Sequence, residues 1–274
     1  VSVRPVMVVL GLIAVLLTGC GHATSVDGDV PRPVHPTWRP VTLPAPPGVP
    51  GRPLLRDATA CAGRWYVVGG VADPAGATRP AVWSSADGVT WSVSRLVPSS
   101  FYGRRHVLYA AACRDARLAA LGTVSGGVHG NPRIGGWVEG ADGAVREVAA
   151  PFERFGGPRA VSAARLVAGP CGWLIVGSRV DGAAVWASPD GREFTLREGL
   201  PELAGDRRGR TAAYDGLATG SGWLVVGAVS PAGGTALAPL AWTSPDGLVW
   251  RRAELPAPGG RGQAQRVVSV GDAV

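Results

Sequence analysis

Three short apolar runs share one pattern: Trp65-Tyr-Val-Val-Gly69, Trp173-Leu-Ile-Val-Gly177 and Trp223-Leu-Val-Val-Gly227. Each is short, rich in aliphatic residues and closed by glycine, which predicts a strand buried on both faces. A turn and an earlier apolar run precede each one, and two further runs follow, so the pattern predicts four strands per unit. Unit one has Leu54–Cys61, Trp65–Gly70, Ala81–Ser85 and Thr90–Val97. Unit two has Val107–Cys113, Arg117–Thr123, Gly136–Glu139 and Ala144–Ala149. Unit three has Val161–Gly169, Trp173–Ser178, Ala184–Ser188 and Glu193–Arg197. Unit four has Ala212–Thr219, Trp223–Val229, Leu240–Ser244 and Val249–Leu255.

Between the third and fourth runs lies a repeated nonapeptide. It reads Trp83-Ser-Ser-Ala-Asp87-Gly88-Val-Thr-Trp91, Trp186-Ala-Ser-Pro-Asp190-Gly191-Arg-Glu-Phe194 and Trp242-Thr-Ser-Pro-Asp246-Gly247-Leu-Val-Trp250, with a degenerate copy from Trp137 through Asp142-Gly143 to Val145. Asp-Gly between apolar runs predicts a tight turn, because glycine enters positive φ without strain. Ser and Asp side chains can accept the turn's backbone N–H groups. First tryptophans recur at intervals of 54, 49 and 56 residues. A period near fifty with four short strands describes a β-propeller of four-stranded antiparallel blades, all-β in class. No helical pattern of 10–15 residues alternates with the strands, which argues against a parallel α/β fold, and a β-sandwich, the alternative, would not repeat its sequence.

Four full repeats are followed by part of a fifth. Gln265-Arg266-Val-Val aligns with Ala164-Arg165-Leu-Val and reads as a first strand. Residues 37–43 copy the Trp-to-Leu spacing of a fourth strand, Trp38…Leu43-Pro44 beside Trp250…Leu255-Pro256. The reading is a closing blade that lacks its middle strands, as in a chain cut short. The Ser-x-Asp-Gly-x-x-Trp turn resembles a contracted Asp-box of sialidase-type propellers. That resemblance implies the propeller fold across roughly residues 37–270 and allows a glycosidase activity.

Residues 1–19 read as a signal peptide: Arg4, then an apolar run over Val6–Leu17, shorter than a membrane span requires. Leu17-Thr18-Gly19-Cys20 resembles the lipobox of bacterial lipoproteins. The resemblance implies cleavage after Gly19, acylation of Cys20 and anchoring on the outer face of the cytoplasmic membrane. Residues 20–53 form a proline-rich tether, with nine prolines between Pro31 and Pro53 that forbid a helix. Residues 54–274 hold the propeller repeats.

Composition adds little beyond charge. The formal net charge is +7 and all 27 basic residues are arginine. No zinc spacing, basic helix or arginine–aromatic RNA signature is present, so nucleic acid is not an expected partner. The four histidines are scattered, and no metal or cofactor site is expected. Cys61, Cys113 and Cys171 fall near the ends of first strands. One disulfide with an odd thiol is possible, but small buried hydrophobes are the favoured reading.

By analogy with the fold, connections between blades share a rim with the loops between second and third strands. Arg52, Arg105, Arg159, Arg207, Arg210 and Arg266 lie in or beside those connections, and Arg79, Arg133 and Arg179 join them from the other loops. Convergent guanidinium groups suit carboxylate or phosphate, and Tyr102 with Phe101, Phe152 and Phe155 supplies a stacking floor. The expected function is binding of an anionic glycan, peptide or envelope protein at this rim, with no catalytic residues. The alternative is a sialidase-like glycoside hydrolase, which needs a Glu-paired tyrosine or two facing carboxylates. Tyr102, Tyr109 and Tyr214 lack a Glu nearby in sequence, and Asp73, Glu153, Asp181, Glu202 and Asp206 are loop residues open to solvation.

Overall fold

The computed structural model describes residues 35–127, 129–271 and 273–274. The expected signal peptide, Cys20 and the first part of the expected tether, residues 20–34, lie outside the described residues. The chain divides into two units, Val1–Pro40 and Val41–Val274. In the first, residues 35–40 carry no secondary structure and Trp38 is exposed. Among the described residues, no helix is long and apolar enough to cross a membrane.

The second unit holds four antiparallel sheets. Sheet one is β1 (Arg52–Cys61), β2 (Arg64–Ala72), β3 (Thr78–Ser85) and β4 (Ser92–Val93), in that order. After β5 (Leu96–Val97), sheet two is β6 (Val107–Arg114), β7 (Arg117–Gly126), β8 (Asn131–Glu139) and β9 (Val145–Val148). A single helical turn, α1 (Phe152–Phe155), leads to sheet three: β10 (Ala160–Gly169), β11 (Gly172–Arg179), β12 (Gly182–Ser188) and β13 (Thr195–Arg197). Sheet four is β14 (Gly209–Thr219), β15 (Gly222–Pro231), β16 (Ala238–Ser244) and β17 (Arg251–Glu254). The first strands are mutual neighbours, β1 against β6, β6 against β10 and β10 against β14. All four, together with Val267–Ser269, wall one channel. Sheets that radiate from a channel lined by their first strands are blades. The fold is a β-propeller.

The buried core lies in the seams between blades. Leu121 and Val138 of sheet two pack with Trp173, Ile175 and Trp186 of sheet three, and Leu174 and Val176 of sheet three pack with Trp223, Val225 and Trp242 of sheet four. The third-strand tryptophans Trp83, Trp137, Trp186 and Trp242 are all fully buried. In three of the four blades the indole N–H finds a backbone carbonyl. Trp83 donates to the carbonyl of Pro44 at 2.8 Å, Trp186 to Arg154 at 2.7 Å and Trp242 to Glu202 at 2.8 Å. Each acceptor lies in the segment that enters the same blade. Burying an indole needs such an acceptor, so the repeated tryptophan ties each of these blades to its own entry segment.

A bulge in every first strand explains the repeated glycine. Register shifts leave Arg56, Tyr109, Ala164 and Tyr214 without a partner on the second strand. The bulges bring first-strand carbonyls over the second strand. A Cβ at Gly69 would lie 1.9 Å from the Leu54 oxygen, at Gly177 2.2 Å from that of Ser162, and at Gly227 1.9 Å from that of Ala212. Glycine closes the second runs because no side chain fits there.

The Asp-Gly turns form as their residues predict. Asp87 Oδ1 accepts the N–H groups of Val89 and Thr90, and Ser85 Oγ accepts that of Gly88. Asp190 with Ser188, and Asp246 with Ser244, repeat the arrangement. In the degenerate copy Asp142 instead binds Arg146 at 2.6 Å.

Three expectations change. The fourth run of unit one does not stay in one sheet: β5 leaves it and pairs in parallel with β9, where Arg95 O accepts the N–H of Val145. Residues 37–43, expected as an outer strand, join no sheet. Leu43 packs beside Val71, Ala81 and Trp83, so the chain from there on enters blade one as the connections enter the other blades. Two of the three cysteines are not free. Cys61 and Cys113 form a disulfide with a Cα separation of 5.3 Å, and only Cys171 remains reduced among the described residues. Sequence spacing could not show that neighbouring first strands approach within bridging distance.

Candidate functional site

The two ends of the channel carry different loops. At one end lie the Asp-Gly turns and the turns between first and second strands: Arg114 donates to Pro170 O and Pro189 O, and Cys171 Sγ to Pro245 O. At the other end, blade connections meet the loops between second and third strands. Thr78 Oγ1 donates to Arg105 O, Gly205 N–H to Asp181 O and Gly262 N–H to Leu237 O. The arginine-bearing segments share this second end.

Most arginines there are already engaged. Arg159 pairs with Asp181 and Glu198, and Arg179, buried, donates to Glu198 at 3.0 Å and to Gly156 O at 3.0 Å. Arg210 reaches the Arg179 carbonyl at 3.4 Å. Arg208 and Arg252 flank Asp206. Arg52 and Arg207 are exposed. Arg266 is not on the rim; it reaches into the channel mouth, 3.8 Å from Asp215.

A second group behaves differently. Phe101 and Tyr102 meet edge to face at 5.3 Å, and the Arg105 guanidinium lies over the Phe101 ring at 5.7 Å. Arg133, from the start of β8, lies between Tyr102 at 5.4 Å and Phe152 of α1 at 4.4 Å. A glycine pair makes room for this stack. A Cβ at Gly126 would lie 2.4 Å from Tyr102 Cε1, and one at Gly127, where φ is +70°, 2.4 Å from Arg133 Nη2. Neither Arg105 nor Arg133 has a carboxylate partner among the described residues. The Arg133 Nε is buried and makes no hydrogen bond there. Stacked cations that keep their N–H donors uncommitted are ready for an anion.

Beneath this cluster His106 is buried. Its Nδ1 accepts the Trp137 indole N–H at 3.1 Å, replacing the backbone carbonyl used in the other blades. Burial pushes its pKa below the ordinary imidazole value, against smaller opposing effects from Glu147 and the Arg133 backbone. Glu147 itself caps the neighbouring turn, accepting from the N–H groups of Ser99 and Ser100.

The channel holds what sequence reasoning missed. At the position after each bulge stand Asp57, Ala110, Arg165 and Asp215. Arg165 binds Asp57 at 2.6 Å and approaches Asp215 at 3.4 Å. Each aspartate also accepts a backbone N–H from the next segment around the channel, Ala111 of β6 at 2.8 Å and Val267 at 3.1 Å; the segment from Gln265, expected as a fifth first strand, joins no sheet. The cavity there measures about 410 Å³. The only signal in sequence was the alignment of Arg165 with Arg266; the bulge that turns these positions inward has none. Tyr109 is partly buried and donates to Ala163 O, while Tyr214 lines the channel mouth. A Tyr–Glu pair exists elsewhere: Tyr66 donates to Glu139 at 3.3 Å beside the Asp-Gly turns. Burial and Glu139 raise the Tyr66 pKa, the reverse of what a nucleophile needs.

No family model and no curated protein matches the chain. Solved structures resemble it at low identity. A glycoside hydrolase of the GH130 mannoside phosphorylase family, described as targeting β-1,2 mannosidic linkages in Candida mannan, is 10% identical, with 76% of this chain and 72% of that chain covered and a TM-score of 0.47. A Bacillus subtilis arabinanase is 12% identical, with 70% and 71% covered and a TM-score of 0.40. A Trypanosoma rangeli sialidase is 14% identical, with 73% of this chain but 37% of that chain covered and a TM-score of 0.45. Likeness at this level says nothing about activity.

Proposed function

We propose that this protein is a lipoprotein of the bacterial cell envelope, anchored through Cys20, whose propeller binds an anionic envelope polymer at the end bearing the blade connections. One observation carries the binding reading: Arg105 and Arg133 rest on aromatic rings instead of carboxylates, whereas Arg159 and Arg179 at the same end are neutralised by Asp181 and Glu198. A cation held on aromatic faces keeps its donors for a ligand and is already partly desolvated. The lipobox resemblance supports the anchor.

Retention of the purified protein on immobilised polygalacturonate, with neutral dextran as control, tests the binding. Arg105→Ala with Arg133→Ala should abolish retention, and Arg159→Ala, which removes a partner of Asp181, should leave it within about twofold. Full retention by the double variant would reject the proposal. For the anchor, Cys20→Ser should move the protein from membranes to the soluble fraction.

The hydrolase reading has one observation in its favour, Asp57 and Asp215 facing the channel on either side of Arg165. Both are ion-paired to Arg165 and each accepts a backbone N–H group, so their oxygens are already engaged within the protein. Release of reducing sugar that is lost in Asp57→Asn and in Asp215→Asn would establish it.

A further inference from the structure

Beside the stacked arginine lies a cavity of about 440 Å³, walled by Pro132, Ile134, Phe152, Phe155 and Val161, with Asn131 and Ser162 as its polar side chains. Phe152 belongs to both features. Its ring forms part of the cavity wall and carries the Arg133 guanidinium at 4.4 Å. The Phe152 side chain is about 43% exposed, so a ligand can reach it. The backbone at the cavity edge is open for the same reason. A Cβ on Gly156 would lie 2.4 Å from the Phe152 ring, and Gly157 has φ of +85°.

We propose that this cavity is a subsite for a carboxylated pyranose, the acidic sugar of a polysaccharide, with its ring against the apolar wall and its carboxylate extended past Phe152 to Arg133, which lies over the Phe152 ring and outside the cavity lining. This rests on the reading of the connection-bearing end as an anion-binding face. The chemistry follows from the lining. A volume in the small-ligand range with mostly apolar walls suits a ring with a hydrophobic face, and two polar side chains suit a few hydroxyl groups. A planar guanidinium with free N–H donors matches a carboxylate in two parallel hydrogen bonds. Among the described residues Arg133 is the only cation stacked on this ring, too little charge to favour a phosphate over a carboxylate. The ring on which it rests prevents it from folding away.

Calorimetric titration of the intact protein with galacturonate, its methyl ester, galactose and benzoate tests the assignment. Galacturonate should bind, and the ester and galactose should bind at least tenfold more weakly. Arg133→Gln and Phe152→Ala should each weaken galacturonate tenfold or more, and Arg192→Ala, at an exposed arginine in an Asp-Gly turn at the opposite end of the channel, should change it less than twofold. Arg133→Lys, which keeps the charge and the fold but loses the planar fork, should fall between wild type and Arg133→Gln. Benzoate binding as tightly as galacturonate would overturn the sugar assignment. Polygalacturonate retention that survives Arg133→Gln and is lost in Arg105→Ala would overturn the subsite while leaving the anion-binding face standing. Loss of retention in neither variant would remove the face itself.

Discussion

Single side chains set the pH response of this propeller. His106 has its pKa lowered by burial, and Trp137 donates to its Nδ1, a bond that exists only while that nitrogen is unprotonated. The unfolded imidazole titrates near about 6.5. Its contribution to stability is therefore complete above that value and is lost as pH falls from there toward the lower folded pKa. Denaturant midpoints should fall between pH 7.5 and 5.5 in wild type and change less in His106→Gln. The turn aspartates act in a lower window. Asp87 is held below the carboxylate range chiefly by the N–H groups of Thr90 and Val89, and Asp246 by those of Val249 and Leu248. Asp190 is lowered too, its turn hydrogen bonds outweighing the opposing effect of burial. Their stabilisation is present above about pH 4 and is lost below it as they protonate. Asp246→Asn should flatten that acid limb, read by circular dichroism between pH 5 and 2.

At the scale of the strand pair, the glycine that ends each second run is the informative position. Gly177 faces the Ser162 carbonyl across the bulge, and a Cβ there would overlap it. Gly177→Ala should cost about 3 kcal/mol, measured by urea unfolding. Substituting Gly76, which has open space around it, should cost less, and through its φ of +83° alone. The run that ends at Gly177 was legible as a strand from its apolar residues. The reason for its glycine was not, because a bulge is a relation between two strands and leaves no mark on one.

For the molecule as a whole, stability depends on ties between blades. The Cys61–Cys113 bridge joins the first strands of blades one and two across 52 residues. A loop of that length should lose about 4 kcal/mol of stabilisation on reduction in the chain-entropy model. Cys61→Ser with Cys113→Ser should lower the melting temperature under oxidising conditions and make it insensitive to reductant. In a Cys20→Ser background, maleimide should label one thiol in the native oxidised protein, at exposed Cys171, and three after unfolding and reduction. The second tie is the charged row Asp57, Arg165 and Asp215, which links blades one, three and four across the channel. It is partly buried, so removing Arg165 leaves two carboxylates without their counter-ion, a costly change.

The repeat of Trp, Asp-Gly and apolar runs along the chain determines by itself that this is an all-β protein of four-stranded units. Those features act within one strand or one turn, over spacings of a few residues. The tertiary structure decided everything that depends on which strands become neighbours. It placed Cys61 against Cys113, turned Asp57, Arg165 and Asp215 toward one axis, and parted the rim arginines into those facing a carboxylate and those resting on a ring. Arg133 and Arg159 look alike in sequence. What surrounds each guanidinium comes from segments tens of residues away, and only packing brings those together.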